Sequence, residues 1–412
     1  MSKPIRQFIF ETLLPYESHK AHRLHVEDVL NTGYHHYGYA PQDRRFATYL
    51  AYGILRSWFL LEAAMQSLSH IPKLAPDVRL LLRMGLYQLA EMDSVPDYAA
   101  VSETMALAEA LKLSTKSRGF IHAVLQNFIR QGKNLPTDPE IAFPVWWVDR
   151  LKAQYSPEDV TQILTAFLKP PQLSIRINTL NISVEEYKAQ ITQPYASSEV
   201  KEVIRFTDAV GDPRQLPGYE EGWFVVQDES SARVAHVLDP KPGETILEIG
   251  AAPGMKTTHI AALMQNQGKI LAVDISEKRM KLLRENSRRL GVTIIDEANS
   301  SIEVDRVLVD APCSGTGTIG KHPEILQSLA EKDFKIHQQT QLKLLQQGFS
   351  QLKSGGVLVY STCSIDVDEN KNVVDLFLKD HNNIDQQQIS VILPTEIRDG
   401  FFIFKAVKAR EC

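Results

Sequence analysis

A chain of 412 residues is too long for one small core, and its length suggests two or three domains. It is 43% hydrophobic and 23% charged, and no apolar run reaches the ~18 residues of a membrane helix, so it reads as an ordinary globular protein without a membrane span. Three cysteines without metal-type spacing point to neither a disulfide framework nor a metal site, and a formal charge of −5 leaves a nucleic-acid partner to find its basic surface locally.

In chain order, the opening "MSKPIRQFIFETLLPYE" reads as a helix and not a signal peptide, because Glu11 ends its short apolar stretch. Residues 4 to about 131 carry apolar residues at three and four spacing throughout, with breakers at Pro72, Pro76 and Pro96. Gly132 precedes a polar, proline-bearing linker. From 136 to 235 the texture is mixed: "FPVWWVDRLKAQY" and "SPEDVTQILTAFL" read as helices, "LSIRINTL" and "GWFVVQD" as strands. From about 236 strands alternate with helices: "TILEIG", "KILAVDIS", "VTIIDE", "VDRVLVDAP" and "GGVLVYSTC" are the strands. Short, continuously apolar strands separated by helices indicate a parallel sheet covered on both faces. The expected division is therefore 1–135 all-α, 136–235 small α+β, and 236–412 α/β Rossmann-like.

The strand ends carry the chemistry. "LEIGAAPGMK" is a strand, a Gly/Ala/Pro turn and a helix start, where small residues let a ligand approach the backbone. Asp274 ends the second strand, placed to accept both hydroxyls of a ribose, and Asp296 follows the third, placed for an adenine amino group. Three successive loops of this kind without a clean G-x-G-x-x-G favour S-adenosylmethionine over a dinucleotide. Cys313 in "DAPCSGTG" and Cys363 in "YSTCS" both follow apolar strands, where open α/β sheets bind ligands. A thiolate added to carbon 6 of a cytosine makes carbon 5 nucleophilic enough to take a methyl group. Release of that adduct needs a base, and an acid near ring nitrogen 3 would absorb the developing charge. Asp310 stands beside Cys313 for that role. "SEKRMKLLRENSRRL" (276–290) is the one strongly basic helix, read chiefly as a solvated face; Arg176, Asn178 and the "VVQDESS" segment are candidates for steering a nucleic acid.

"DAPCSGTG" with "YSTCS" resembles the paired signature of RNA cytosine-5 methyltransferases, and "AAPGMKT" resembles their donor loop. The likeness continues through "KHPEI", "SIDVDEN", "DGFFIFKA", "RINTL" and "VQDESSA". The helical part is similar to a NusB-like RNA-binding domain in "QDRRFATYLAYGILR", "RLLLRMGLYQLAEMDSVPDYAAVSET" and "GFIHAVLQNFIR". Together these resemble the bacterial enzymes that methylate a cytosine of 16S ribosomal RNA. That resemblance implies Cys363 as nucleophile, Cys313 as the thiol assisting release, Asp310 on the target base and Lys256 setting the pocket. It places Gly250, Ala251, Ala252, Pro253, Gly254, Met255, Lys256, Asp274, Arg279, Asp296 and Asp310 around S-adenosylmethionine. It further implies ribosomal RNA as partner, a cytoplasmic monomer, and no metal. The chain departs from the usual pattern at Gly250 (commonly Cys), Met255 (Gly), Lys321 (Arg), His122 (Asn) and Gln126 (Arg). Two other readings stay open: a DNA cytosine-5 methyltransferase using Cys313, and an RNA-binding ribosome-assembly factor with a decayed methyltransferase domain.

Overall fold

The computed structural model describes residues 3–18, 25–69, 73–297 and 302–410; Pro72 and the third cysteine, Cys412, lie outside them. By internal contacts the chain forms two compact units, Met1–Lys169 with Ile319–Leu329, and Pro170–Thr318 with Ala330–Cys412. Among the described residues no helix is long and apolar enough to cross a membrane.

The first unit is helical. Its elements are α1 (Ile5–Glu17), α2 (Val26–Tyr37), α3 (Pro41–Arg56), α4 (Trp58–Leu68), α5 (Pro76–Glu91), α6 (Asp97–Ala110), α7 (Thr115–Arg130), α8 (Val145–Gln154) and α9 (Pro157–Leu168). Prolines at the first position of α3, α5 and α9 suit helix starts, where the missing N–H has no intrahelical partner to lose. The α5 helix is the centre: Leu80, Leu81, Leu82, Met84, Leu86 and Leu89 are all buried. Arg83 is buried with them, balanced by Glu17 at 2.9 Å and Glu62 at 2.7 Å. A guanidinium there would be costly without that pairing.

The second unit holds two sheets. The smaller is built from β1 (Ser174–Ile177), β2 (Tyr195–Ser197), β3 (Val203–Phe206) and β4 (Phe224–Val226), with α10 (Val184–Lys188) between β1 and β2. Its order is β2-β3-β1-β4, antiparallel throughout. The expected "VVQDESS" strand stops at Val226, because Asp228 caps α11 (Glu229–Leu238) by accepting from Ser230 N–H at 2.9 Å.

The larger sheet follows: β5 (Thr245–Ile249), α12 (Met255–Leu263), β6 (Lys269–Val273), α13 (Glu277–Arg289), β7 (Ile295–Glu297) and β8 (Val304–Asp310). After Thr318 the chain enters the helical unit for residues 319–329, which include α14 (Ile325–Ser328). It returns as α15 (Glu331–Ser350), β9 (Leu352–Thr362), α16 (Lys371–Asp380), β10 (Ile384–Ile392) and β11 (Phe401–Lys408). The strand order is β10-β11-β9-β8-β5-β6-β7. The five strands from β9 to β7 run parallel, as their apolar sequences indicate. The sheet as a whole is mixed, because β11 joins β9 antiparallel and β10 joins β11 antiparallel. Polar β10, "IDQQQISVI", gives no apolar pattern because it is an exposed edge. Winding reverses between β5 and β8, and the crevice at that switch is where such sheets take ligands.

Candidate active site

The donor loop leaves β5 at Gly250, whose φ is +83°. A Cβ there would lie 2.1 Å from the Asp310 carbonyl oxygen, so a side chain on this backbone path would force a shift, and glycine lets the loop lie against the end of β8. Ala251 and Ala252 are buried against Ala272, Met280 and Leu283, and the Ala252–Pro253 peptide is cis. The Pro253 carbonyl accepts from Asn286 at 3.0 Å. Gly254, at φ +101°, caps α12, and Met255 is partly buried against the cluster that includes Ile260 and Leu290.

The expected acids separate. Asp274 is almost wholly buried; one oxygen accepts from Ser276 N–H at 2.9 Å and the other faces Arg279 at 3.2 Å. Arg279 also donates to the Ala252 carbonyl, so it ties this acid to the donor loop. Asp296 is not brought to the same place. It lies within β7, 58% exposed, and pairs at 2.6 Å with Lys269, the first residue of β6.

The two thiols meet. Cys313 and Cys363 follow β8 and β9, neighbours in the sheet, and their Sγ atoms are 3.3 Å apart. Asp310 sits at the end of β8, accepting from Lys256 Nζ at 2.7 Å and from Ser361 Oγ at 2.9 Å. Burial alone would lower the Lys256 ammonium; the charges of Asp310, Cys363 and Glu248 outweigh it and hold its pKa above the ordinary value. The Cys313 thiol is raised well above its ordinary value by its hydrogen bond with Cys363, by burial, and by the nearby charges of Cys363 and Glu369. Gly317 links the two loops to Gly400: its N–H donates to the Cys363 carbonyl at 2.9 Å, and its carbonyl accepts from Gly400 N–H at 2.8 Å.

Several groups escape a reading by sequence. Glu248, inside β5, is fully buried and neither carboxyl oxygen has a hydrogen-bond partner. Burial, with the charge of Asp310, pushes it up to about 8 against the pull of Thr257 and Lys256. The L-E-I-G context could have flagged it as the strand acid preceding a donor loop. Glu369 is also fully buried, bonded to the residues after both thiols. Two sets of ligand-type side chains come together from distant segments: Glu202, His236 and His259 in one unit, His25, His322 and Glu324 in the other. In the first, the Glu202 carboxylate pairs with His236 at 3.0 Å, and burial with the charge of Arg176 pushes His259 down to about 3. A cation there would face Arg176, so the set reads as a polar cluster about the Glu202 carboxylate, with His259 buried and His236 exposed.

Arg176 and Asn178 do not face outward. Arg176 is 0% exposed and donates to Gln227 at 2.6 Å, Thr258 at 3.0 Å and the Met255 carbonyl at 3.3 Å. Asn178 donates to the Gly222 and Leu290 carbonyls at 2.9 and 2.8 Å. Arg176 fastens the small sheet to α12 and Asn178 fastens it to the end of α13, and the expected steering of nucleic acid is not theirs. Along α13, Arg279, Lys281, Arg284 and Arg289 all engage the protein itself.

Comparison with known proteins assigns three segments. Residues 235–404 match the family 16S rRNA methyltransferase RsmB/F, 3–130 the NusB family, and 143–210 the ferredoxin-like domain of RsmF/B-like methyltransferases. The chain is 34% identical over 412 residues to the probable ribosomal RNA small subunit methyltransferase B of Synechocystis, covering 90% of this chain and 92% of that one. It is 35% identical over 396 residues to ribosomal RNA small subunit methyltransferase B of Yersinia pseudotuberculosis, covering 90% and 91%. The crystal structure of PH0851 superposes at a TM-score of 0.79 with 25% identity, covering 99% of this chain and 100% of that chain. A methyltransferase homologue from Pyrococcus horikoshii superposes at 0.56 with 30% identity, covering 65% of this chain and all of that one.

Proposed function

Because the chain belongs to the ribosomal RNA small subunit methyltransferase B family, we propose that it methylates carbon 5 of a cytosine in small-subunit ribosomal RNA, using S-adenosylmethionine. The observation that carries this reading is the pair of thiols 3.3 Å apart at the ends of neighbouring strands, beside the Asp310–Lys256 pair. A thiol at this position can form the covalent adduct that activates carbon 5, and a second thiol in contact with it is placed to assist that adduct's release.

The donor pocket fits S-adenosylmethionine on three counts: the Gly250 path that brings backbone close, the sequestered Asp274 for ribose hydroxyls, and Glu248, a buried carboxyl with no partner, for a cation. Bound there, the donor supplies an electrophilic methyl group on a sulfonium. Gly250, Ala251, Ala252, Pro253, Gly254, Met255 and Arg279 shape or border that pocket; Asp296 is not assigned to it.

Cys363 enters as thiolate and its electron pair forms a bond to carbon 6 of the cytosine, displacing the carbon 5–carbon 6 π pair onto the ring and making carbon 5 nucleophilic. Asp310, oriented by Lys256 and Ser361, is assigned to the ring nitrogen 3 side, where the Lys256 ammonium that it holds answers the negative charge that develops. After carbon 5 is methylated it must lose its proton, whose bonding pair reforms the ring double bond and expels the Cys363 sulfur. Cys313 stands beside that sulfur as a protonated thiol, its pKa raised, and gives its proton to the Cys363 sulfur as it departs, while the carbon-5 proton passes to solvent. The cytosine must leave any stack to reach the sheet edge, which favours an unpaired segment of RNA. We assign RNA binding to the NusB-like region and the small α+β region, with sequence limits at 135 and 235, and take the protein to act as a monomer in the cytoplasm.

The test is a pair of variants on a 16S transcript, read by bisulfite sequencing and by denaturing gel. Cys363→Ser abolishes 5-methylcytosine and forms no adduct, whereas Cys313→Ser accumulates a covalent protein–RNA band. Turnover surviving in Cys363→Ser refutes the mechanism, and loss confined to Cys313→Ser would point to the DNA-type use of that thiol.

A further inference from the structure

The thiols lie on separate loops, and nothing covalent holds those loops together. One side chain is bonded to both. Glu369 accepts from the backbone N–H of Ser314 at 2.8 Å, from the Ser314 hydroxyl, and from the Ser364 hydroxyl at 2.6 Å. Ser314 directly follows Cys313 and Ser364 directly follows Cys363. Gln341 of α15 donates to the same carboxylate at 3.2 Å, and to the Pro312 carbonyl at 3.0 Å. From the far side, the Tyr360 hydroxyl donates to the Glu369 carbonyl at 2.6 Å, fixing the residue to β9.

The surrounding polar atoms complete a closed set. Ser314 and Ser364 hydroxyls lie 3.2 Å apart, and Thr316 Oγ1 lies 3.0 Å from Ser364 Oγ. Thr316 Oγ1 also accepts from Ile365 N–H at 3.2 Å, and Asn370 donates to the Ser364 carbonyl at 2.8 Å. Ser364, Thr316, Asn370 and Glu369 are all buried. Away from water, hydroxyls around one acceptor are ordered by it, because removing that acceptor leaves several donors unsatisfied at once.

We propose that Glu369 is the positioning residue that sets the spacing of the two thiols, holding the Cys313 and Cys363 loops at the separation that adduct formation and release both need. This rests on the reading of the two thiols given above. The carboxylate touches neither reacting atom. It acts through Ser314 and Ser364, and its charge also contributes to keeping the Cys313 thiol protonated until the release step.

The experiment uses the full chain and reads thiol spacing independently of turnover. Diamide accepts the two thiol hydrogens and leaves a Cys313–Cys363 disulfide, followed by mass spectrometry. In Glu369→Ala the rate of disulfide closure and kcat each fall about 100-fold, the size expected when reacting groups move by about 1 Å. KM for RNA and affinity for S-adenosylmethionine stay within about twofold, since neither pocket contains Glu369. Ser364→Ala removes one hydroxyl and gives about a 10-fold fall in both readouts, and Glu369→Gln, which keeps shape and one acceptor, recovers most of the closure rate. If Glu369→Ala loses donor binding or its fold, Ser364→Ala decides. Closure and kcat within about threefold of wild type in variants that still bind donor overturn the proposal. Absence of 5-methylcytosine with the wild-type protein overturns the function instead, while the closure rates still decide the role of Glu369.

Discussion

Glu248→Gln tests whether the donor pocket is built around a cation. The carboxyl is fully buried without a hydrogen-bond partner and is pushed up to about 8. At pH 7 about 0.9 of the molecules therefore carry it protonated, and at pH 9 about 0.1. S-adenosylmethionine brings a sulfonium and an ammonium, and either one against Glu248 draws the carboxyl into its charged form. Donor binding then releases about 0.9 proton at pH 7 and about 0.1 at pH 9. Isothermal titration in buffers of different ionisation enthalpy gives this number as a slope. In Glu248→Gln the slope is zero and affinity falls by about 1.5–3 kcal/mol, the worth of a charge-assisted hydrogen bond. Stability without donor moves the other way. A carboxyl raised from 4.5 to about 8 contributes fully below pH 4.5, and that contribution is lost as pH rises through 8. The loss amounts to at most about 5 kcal/mol. The glutamine variant, which cannot ionise, should therefore melt higher than wild type at pH 9 while binding donor more weakly. A wild-type slope of zero at pH 7, or an unchanged slope in the variant, refutes the reasoning.

Arg176→Met should cost about 3 kcal/mol in urea unfolding, because Gln227, Thr258 and the Met255 carbonyl lose a buried donor; the salt dependence of RNA binding should not change. Gly317→Ala should lower kcat about 100-fold with donor affinity unchanged, since the new Cβ would meet the Gly400 carbonyl oxygen at 2.1 Å and the Cys363 carbonyl oxygen at 2.8 Å. An active Gly317→Ala enzyme would show that the Cys363 loop tolerates displacement. Glu324 is held down to about 2, His25 and His322 outweighing its burial, so its contribution is present above pH 4.5 and lost as pH falls through 2. Glu324→Gln should remove about 2–3 kcal/mol from chemical denaturation at pH 5.5 and only about 0.4 kcal/mol at pH 2.

The sequence by itself determined the elements and the chemistry at their ends. Apolar spacing is a local property, so α3, α5, α8 and α9 and the strands β5, β6, β8 and β9 could be read without knowing their neighbours. The thiols were legible for the same reason: each follows an apolar strand in a distinctive short segment, and a strand end in a parallel sheet has a known place. Gly250 is read from sequence as part of the donor turn and as a departure from the commoner Cys; the Asp310 oxygen lying where its Cβ would be comes from β8, some 60 residues on.

What only the tertiary structure decided was which polar side chains face a ligand and which face the core. Arg176 and Asn178 look like RNA contacts in a list of residues, yet both are consumed by carbonyls and side chains from segments far along the chain. Asp296 looks like its companion Asp274 until the sheet pairs it with Lys269. Glu248 and Glu369 look like ordinary acids, one in a strand and one in a turn. Burial leaves the first with no partner and gives the second the residues after both thiols. A polar group's role depends on what surrounds it in three dimensions, because desolvation and hydrogen bonding are set by neighbours that sequence spacing does not name.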